Sequence, residues 1–170
     1  MTTTAPVVRL RPVKAKDWDV VRGWLAMPDI EAWWGPATAT QAEVQIALNS
    51  GHAICRIIEA DGVAAGYAHA VDATLWGADL PQDLEAGTWD LDLFIARREH
   101  RGLGVGAAAL RLLKDEVFAS TMALAVCVFP SVRNEAAVRA YEKAGFRWKR
   151  IWNDPLMGPS WFMIAERPRT

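Results

Sequence analysis

The 170-residue chain carries 52% hydrophobic and 23% charged residues with a formal net charge of −1, the balance of a globular domain in water. No apolar run approaches the ~20 residues that cross a bilayer, and "MTTTAPVVRL" lacks a basic start followed by an apolar block, so one cytoplasmic domain over 1–170 is expected. Cys55 and Cys127 stand far apart in apolar runs and His52, His69 and His100 show no ligand spacing, which points to buried reduced thiols and no metal.

In chain order, "VVRLRP" (7–12) reads as a short strand ending at Pro12. "KDWDVVRGWLAM" (16–27) places Trp18, Val21, Trp24 and Leu25 at helical spacing. "IEAWWGPA", bracketed by Pro28 and by Gly35-Pro36, is expected to be a loop, because neither periodicity puts both tryptophans in a core. Thr40 and Glu43 form a capping-box pattern that opens a helix over "TQAEVQIALN". Apolar runs at 53–59 and 63–70, joined by "ADG", predict a hairpin. A loop rich in acids, Gly and Pro fills 72–87, and "TWDLDLFIA" (88–96) alternates as a strand.

A helix follows from about Gly104 to Ala119, then a buried strand "ALAVCVF" (123–129). "NEAAVRAYEKAG" (134–145) is a helix stopped by Gly145, and "FRWKRIW" (146–152) and "SWFMIAE" (160–166) are strands around "NDPLMGP". The pattern is α+β (mixed α/β), with a central strand–helix–strand–helix unit at 88–145.

"ARREHRGLGVGAAALRLL" (96–113) sets Gly102, Gly104 and Gly106 at alternate positions before a helix-forming run. Each glycine inside a helix costs about 0.5–1 kcal/mol relative to alanine, so the stretch needs a reason. A dinucleotide-binding turn requires an acid near the end of the next strand; "ALAVCVF" is followed by Pro130 instead. A P-loop requires Gly-Lys-Ser/Thr, which is absent. A tight packing turn and an anion site both remain. Glycines before a helix bare backbone N–H groups, the helix start adds roughly half a positive charge, and Arg97, Arg98 and Arg101 add full ones.

Arg101-x-x-Gly104-x-Gly106 resembles the acyl-coenzyme A-binding signature of the GCN5-related N-acetyltransferase (GNAT) superfamily, and "NEAAVRAYEKAGF" resembles that superfamily's second motif. The resemblance covers residues 88–146. It implies a central mixed, mostly antiparallel sheet of six to seven strands flanked by about four helices, with acetyl-coenzyme A as co-substrate. By the same resemblance the backbone of Phe94, Ile95 and Ala96 binds the pantetheine arm, and Arg101, Gly102, Leu103, Gly104, Val105, Gly106 and Ala107 hold the phosphates. Asn134 would hold the arm from the other side, and Tyr141 would face the thiol. Read alone, Asn134 is a helix cap and Tyr141 a core aromatic.

Charge is divided along the chain. Residues 1–96 carry 13 acids and 6 bases, whereas residues 97–150 carry 11 bases and 5 acids. Such a division suits one cationic and one anionic ligand, unless the halves interleave. Alternation in "TWDLDLFIA" sends Asp90 and Asp92 to one face and Leu91, Leu93 and Ile95 to the other. A lysine-like amine with a pKa of about 10.4 must lose a proton before it attacks, and Asp92 is the candidate base with Asp90 its electrostatic partner. Trp33 and Trp34 would offer an aromatic platform to a sugar face or cation, or else one packs while the other covers a helix.

"EAWWG" with "DLDLFIA" is similar to the aminoglycoside 6'-N-acetyltransferases, which implies transfer of acetyl from acetyl-coenzyme A to an amine of a polycationic aminosugar, in a ternary complex, and hence antibiotic resistance. A siderophore precursor, a polyamine or a peptide amine is the alternative acceptor, and an acyl-coenzyme A sensor without turnover is a third reading. Nucleic acid and membranes are not expected partners; the chain is expected to be a monomer or homodimer.

Overall fold

The computed structural model describes residues 4–77 and 79–170. The first three residues of "MTTTAPVVRL" and Ala78 of the 72–87 segment lie outside the described residues. The elements are β1 (Val8–Pro12), α1 (Trp18–Leu25), α2 (Pro28–Trp34), α3 (Ala37–Ser50), β2 (Ile54–Ala60), β3 (Val63–Asp72), α4 (Ala73–Trp76), β4 (Thr88–Ile95), α5 (Val105–Ser120), β5 (Ala125–Val128), α6 (Glu135–Lys143), β6 (Arg147–Asp154) and β7 (Gly158–Glu166). The strands form one sheet in the order β1-β2-β3-β4-β5-β7-β6. Neighbours run antiparallel apart from β4 and β5, which run parallel. The expected mixed, mostly antiparallel sheet is therefore present, with seven strands and six α-helices among the described residues.

Each face of the sheet is covered. Leu110, Leu113 and Val117 repeat at helical spacing along α5 and pack with Leu91, Val126 and Met163 on one side. On the other, Val21 and Leu25 of α1, Ile30 of α2 and Val44 of α3 pack with Ile57, Tyr67 and Phe94. β4 contributes to both cores, Leu91 to one and Phe94 to the other, as its two-residue period requires. Asp90 and Asp92 share the face of Phe94.

The ladder between β4 and β5 sets the position of the site. β4 pairs with β3 from Trp89 to Ile95, but with β5 over only Thr88 to Asp90. Beyond Asp90 the two parallel strands part. The Ala96 N–H donates to Ala65 C=O at 2.8 Å, so the alternation of an antiparallel ladder turns the backbone groups of Leu93 and Ile95 toward the gap.

Two local expectations are corrected. "IEAWW" is helix rather than loop: Pro28 occupies the first turn, Asp29 and Glu31 complement the helix dipole, and Gly35 at φ +107° ends it. α3 begins at Ala37, before Thr40, so Thr40 and Glu43 form no capping box. The buried Thr40 instead donates its hydroxyl to Pro36 and Ala37 carbonyls, both at 3.3 Å, within the first turn of α3. The "ADG" hairpin forms as expected, with Asp61 and Gly62 at φ +49° and +78°, the two positive values of a type I′ turn.

Candidate active site

A cleft of about 660 Å³ opens where β4 and β5 separate, and its wall runs from α2 past β4 and the glycine turn to α6 and β6. Gly102, Gly104, Val105, Gly106 and Ala107 line one end. Gly102 and Gly104 take φ +74° and +80°, where a side chain is strained. Gly106 differs: its φ is ordinary, and a Cβ there meets only Ile95 Cγ1 and Leu93 Cδ1, each at 3.9 Å. Packing does not demand glycine at 106, and the absent side chain leaves room beside the helix start. The first intrahelical bond of α5 is Ala108 N–H to Gly104 C=O at 3.0 Å, so the N–H groups of Val105, Gly106 and Ala107 have no intrahelical acceptor.

Arg101 lines the cleft beside these glycines, and its side chain is bonded within the fold. Nε donates to Ile95 C=O at 2.8 Å, Nη2 to Ala96 C=O at 3.2 Å, and Nη1 to Asp29 Oδ2 at 2.7 Å. Its guanidinium is committed within the fold, holding the turn to β4 and α2. Arg97 donates Nε to Ala64 C=O at 2.9 Å, and Arg98 lies 3.5 Å from Asp29. Arg101 and Arg97 therefore serve the protein's own carbonyls and carboxylates, while Arg98 stays largely exposed. Leu103 is exposed at the outer side of the turn, and Ala96 is buried against β3 with its N–H on Ala65; the cleft wall includes Phe94 and Ile95 but neither of these two.

α6 forms the facing wall. Asn134 is its cap, accepting the Ala137 N–H at 3.2 Å through Oδ1, and it also lines the cleft, with its side-chain NH₂ not used in the cap. Tyr141 is a core aromatic and a cleft residue at once: 6% exposed, packed near Phe146, and lining the cavity. Burial and then the negative charges of Asp92 and Asp90 raise its pKa, so the phenol keeps its proton at neutral pH. Arg139 and Lys143, four residues apart on α6, also line the cleft. Sequence reading missed them, although their i,i+4 spacing on the face of Tyr141's helix was the available signal.

The acids converge at the far end. Burial pushes Asp92 up to about 7, against the Leu93 N–H bond at 2.9 Å, and Glu43 raises it further while the Trp34 indole works the other way. Asp90 is pushed well above the usual carboxylate range by burial and by Asp92. Glu43 is raised by burial and by Asp79. Glu43 thus acts on Asp92 electrostatically from outside the cleft wall. Its assignment as a cap hid this effect, because α3 begins at Ala37 and leaves Glu43 within the helix.

α2 brings Trp33 and Trp34 to the same end with different environments. Trp34 stacks edge-on against Phe94 at 5.0 Å and lies 5.5 Å from His69 and 6.2 Å from Tyr67. Trp33 remains 43% exposed on the cleft rim. One tryptophan is therefore packed and one is open to a ligand. His69 accepts or donates at 3.1 Å with the Tyr67 hydroxyl, and burial drops its pKa to about 4. Both thiols are buried and free, Cys127 pairing opposite Asp90 in the β4–β5 ladder. No group of three metal-ligating side chains, and no helix long and apolar enough to cross a membrane, occurs among the described residues.

A sheet parted beside a glycine-led helix start, with acids on one wall and a phenol on the other, is the arrangement of an acyl-transfer enzyme. The acetyltransferase (GNAT) domain family matches residues 13–153, and the chain belongs to that family, whose acyl donor is acetyl-coenzyme A. Among known proteins it is similar to aminoglycoside N(6')-acetyltransferase type 1 of Klebsiella pneumoniae, 28% identical over 175 residues, covering 98% of this chain and 87% of that protein. A kanamycin resistance protein of Rhizobium radiobacter is 29% identical over 86 residues, covering 51% of this chain and 79% of that one. The crystal structure of aminoglycoside acetyltransferase AAC(6')-Ib with coenzyme A and kanamycin superposes with a TM-score of 0.82 at 27% identity, covering 95% of both chains.

Proposed function

We propose that the protein transfers the acetyl group of acetyl-coenzyme A to a primary amine of an aminoglycoside, by direct attack with donor and acceptor bound together. The observation that carries this reading is Asp92: a carboxyl titrating at about 7, on the cleft wall where β4 leaves β5. A base is most useful when its pKa is near the working pH. The likeness to aminoglycoside acetyltransferases over nearly the whole chain supports the acceptor class.

The residues fit the donor. The bared N–H groups at the start of α5 and the missing Cβ of Gly106 suit a pyrophosphate, and the Leu93 C=O and Ile95 N–H, on the edge of β4 that β5 has left, suit an extended amide-bearing arm. Asn134 would reach the same arm with its NH₂. The acceptor nitrogen bonds to the acyl carbon as the carbon–sulfur bond breaks. Asp92 takes the proton that the nitrogen sheds, and Tyr141 supplies a hydrogen bond or proton to the departing sulfur. Burial and neighbouring acids raise both Asp90 and Glu43, and ammonium groups of a ligand would favour the charged form of each, so a polycationic acceptor suits this end of the pocket. Trp33 offers its exposed face to a sugar ring. Neither cysteine takes part, since both are buried and burial raises both thiols.

The test is thiol release from acetyl-coenzyme A with a panel of aminoglycosides, diamines and peptides. Turnover with kanamycin and ribostamycin exceeding that with the others by tenfold or more is expected. Turnover confined to diamines or peptides would replace the acceptor while leaving the donor half intact.

A further inference from the structure

The Arg101 guanidinium joins three elements that would otherwise meet only through packing. It binds the carbonyls that end β4, at 2.8 and 3.2 Å, it belongs to the glycine turn by sequence, and it reaches 72 residues back to Asp29 at 2.7 Å. Arg98 approaches the same carboxylate at 3.5 Å. Asp29 stands in the first turn of α2, and Trp33 and Trp34 close its last, about 7 Å further along the axis. α2 has seven residues, so about two turns of helix backbone join its two ends. Its far end packs against Phe94 of the strand that also carries Asp92.

Asp29 is also in contact with the ligand volume. Asp29 and His100 both belong to the cleft wall beside the turn, and Asp29 Oδ1 and His100 Nδ1 are shielded from solvent without a hydrogen-bond partner among the described residues. The Arg101 bond, above all, holds the Asp29 carboxyl below its usual range, so it is charged at neutral pH. A purely structural ion pair has no need to lie where the phosphate turn, the acceptor helix and the cavity meet.

We propose that Asp29 is a positioning residue: through Arg101 it transmits occupancy of the glycine turn to α2, so that donor binding orders the tryptophans that receive the acceptor. This rests on the reading of the turn as the donor's phosphate site. Coupling of this kind between two sites is worth about 5- to 150-fold in affinity.

The experiment is hydrogen–deuterium exchange with coenzyme A alone, without acceptor, on the wild type, Asp29→Asn and Asp29→Glu. In the wild type, coenzyme A is expected to slow exchange at 102–108 and, by about fivefold or more, at 29–35. Asp29→Asn should keep the slowing at 102–108 and lose it at 29–35; Asp29→Glu should restore it. Arg101→Lys, with circular dichroism confirming the native fold, serves as a second break of the same link. Equal slowing of 29–35 in wild type and Asp29→Asn overturns the proposal, as does a wild-type turn that is protected while 29–35 is not. Protection of neither region removes the donor reading itself, and this proposal with it.

Discussion

Asp92 and His69 are direct partners across the β3–β4 ladder, and burial acts on both to suppress charge. It pushes the carboxyl up to about 7 and the imidazole down to about 4. At neutral pH the imidazole is therefore neutral and the carboxyl stands at its midpoint. Among the described residues no ion pair holds Asp92 in its charged form, and it is free to gain and lose a proton.

The pH dependence follows. Asp92 accepts a proton only when ionised, so kcat/KM should rise with pH along an acid limb with a midpoint near 7. Asp92→Asn should remove that limb and lower kcat by at least about tenfold. Tyr141→Phe should cost less, because a thiol with a pKa of about 8.5 leaves readily without an acid. A limb centred near 4 would assign the base elsewhere.

Stability should move the opposite way. In the unfolded chain Asp92 titrates near the ordinary value of about 3.9, whereas in the fold it does so at about 7. Its favourable contribution is present below about 4 and is lost as pH rises through 7. Asp92→Asn cannot ionise, so it should exceed the wild type at pH 8 by about 2–4 kcal/mol, and the gap should close toward pH 4. Urea midpoints at the two pH values measure this; a gap independent of pH would refute it.

The glycines separate by role. Gly104→Ala forces a side chain into φ +80° and should lower stability by about 1–2 kcal/mol, although nothing lies within 4 Å of the new Cβ. Gly106→Val sits in ordinary helical backbone and should change stability by less than about 1 kcal/mol, while raising the KM for acetyl-coenzyme A tenfold or more. Thermal melts paired with donor titrations distinguish the two. An unchanged KM in Gly106→Val would show that the space at 106 is not the donor's.

The paired tryptophans should divide likewise. Trp34→Ala removes a ring packed on Phe94 and Tyr67 and should destabilise by about 2–4 kcal/mol. Trp33→Ala should leave stability within about 0.5 kcal/mol and raise the acceptor KM several-fold. Melting curves and acceptor kinetics on both variants test this; equal melting losses would show that Trp33 is also structural.

What the sequence disclosed follows the strength of its periodic signals. "TWDLDLFIA" alternates without interruption, so its strand, the shared face of Asp90 and Asp92 and the opposite face of Leu91 were all legible. "IEAWW" was not, because two adjacent tryptophans fit no amphipathic stripe; the helix forms on its proline start and glycine stop, with only one ring packed inward. The internal bonds of the Arg101 side chain were not legible for a related reason. A charge beside a glycine motif suggests a ligand, and only tertiary structure brings Asp29 of a distant helix to neutralise it. Glu43 was hidden by local chemistry that the shifted start of α3 does not use.

The short seam between β4 and β5 has an evolutionary corollary. The elements before β4 build one wall of the cavity and those after it build the other, joined along that seam and at the Asp29–Arg101 bridge. Substitutions at the far end of α2, at Trp33 above all, can thus alter acceptor choice while the Asp29–Arg101 bridge and the start of α5 stay in place. Variation in acceptor range should accumulate there, and not around the glycine turn.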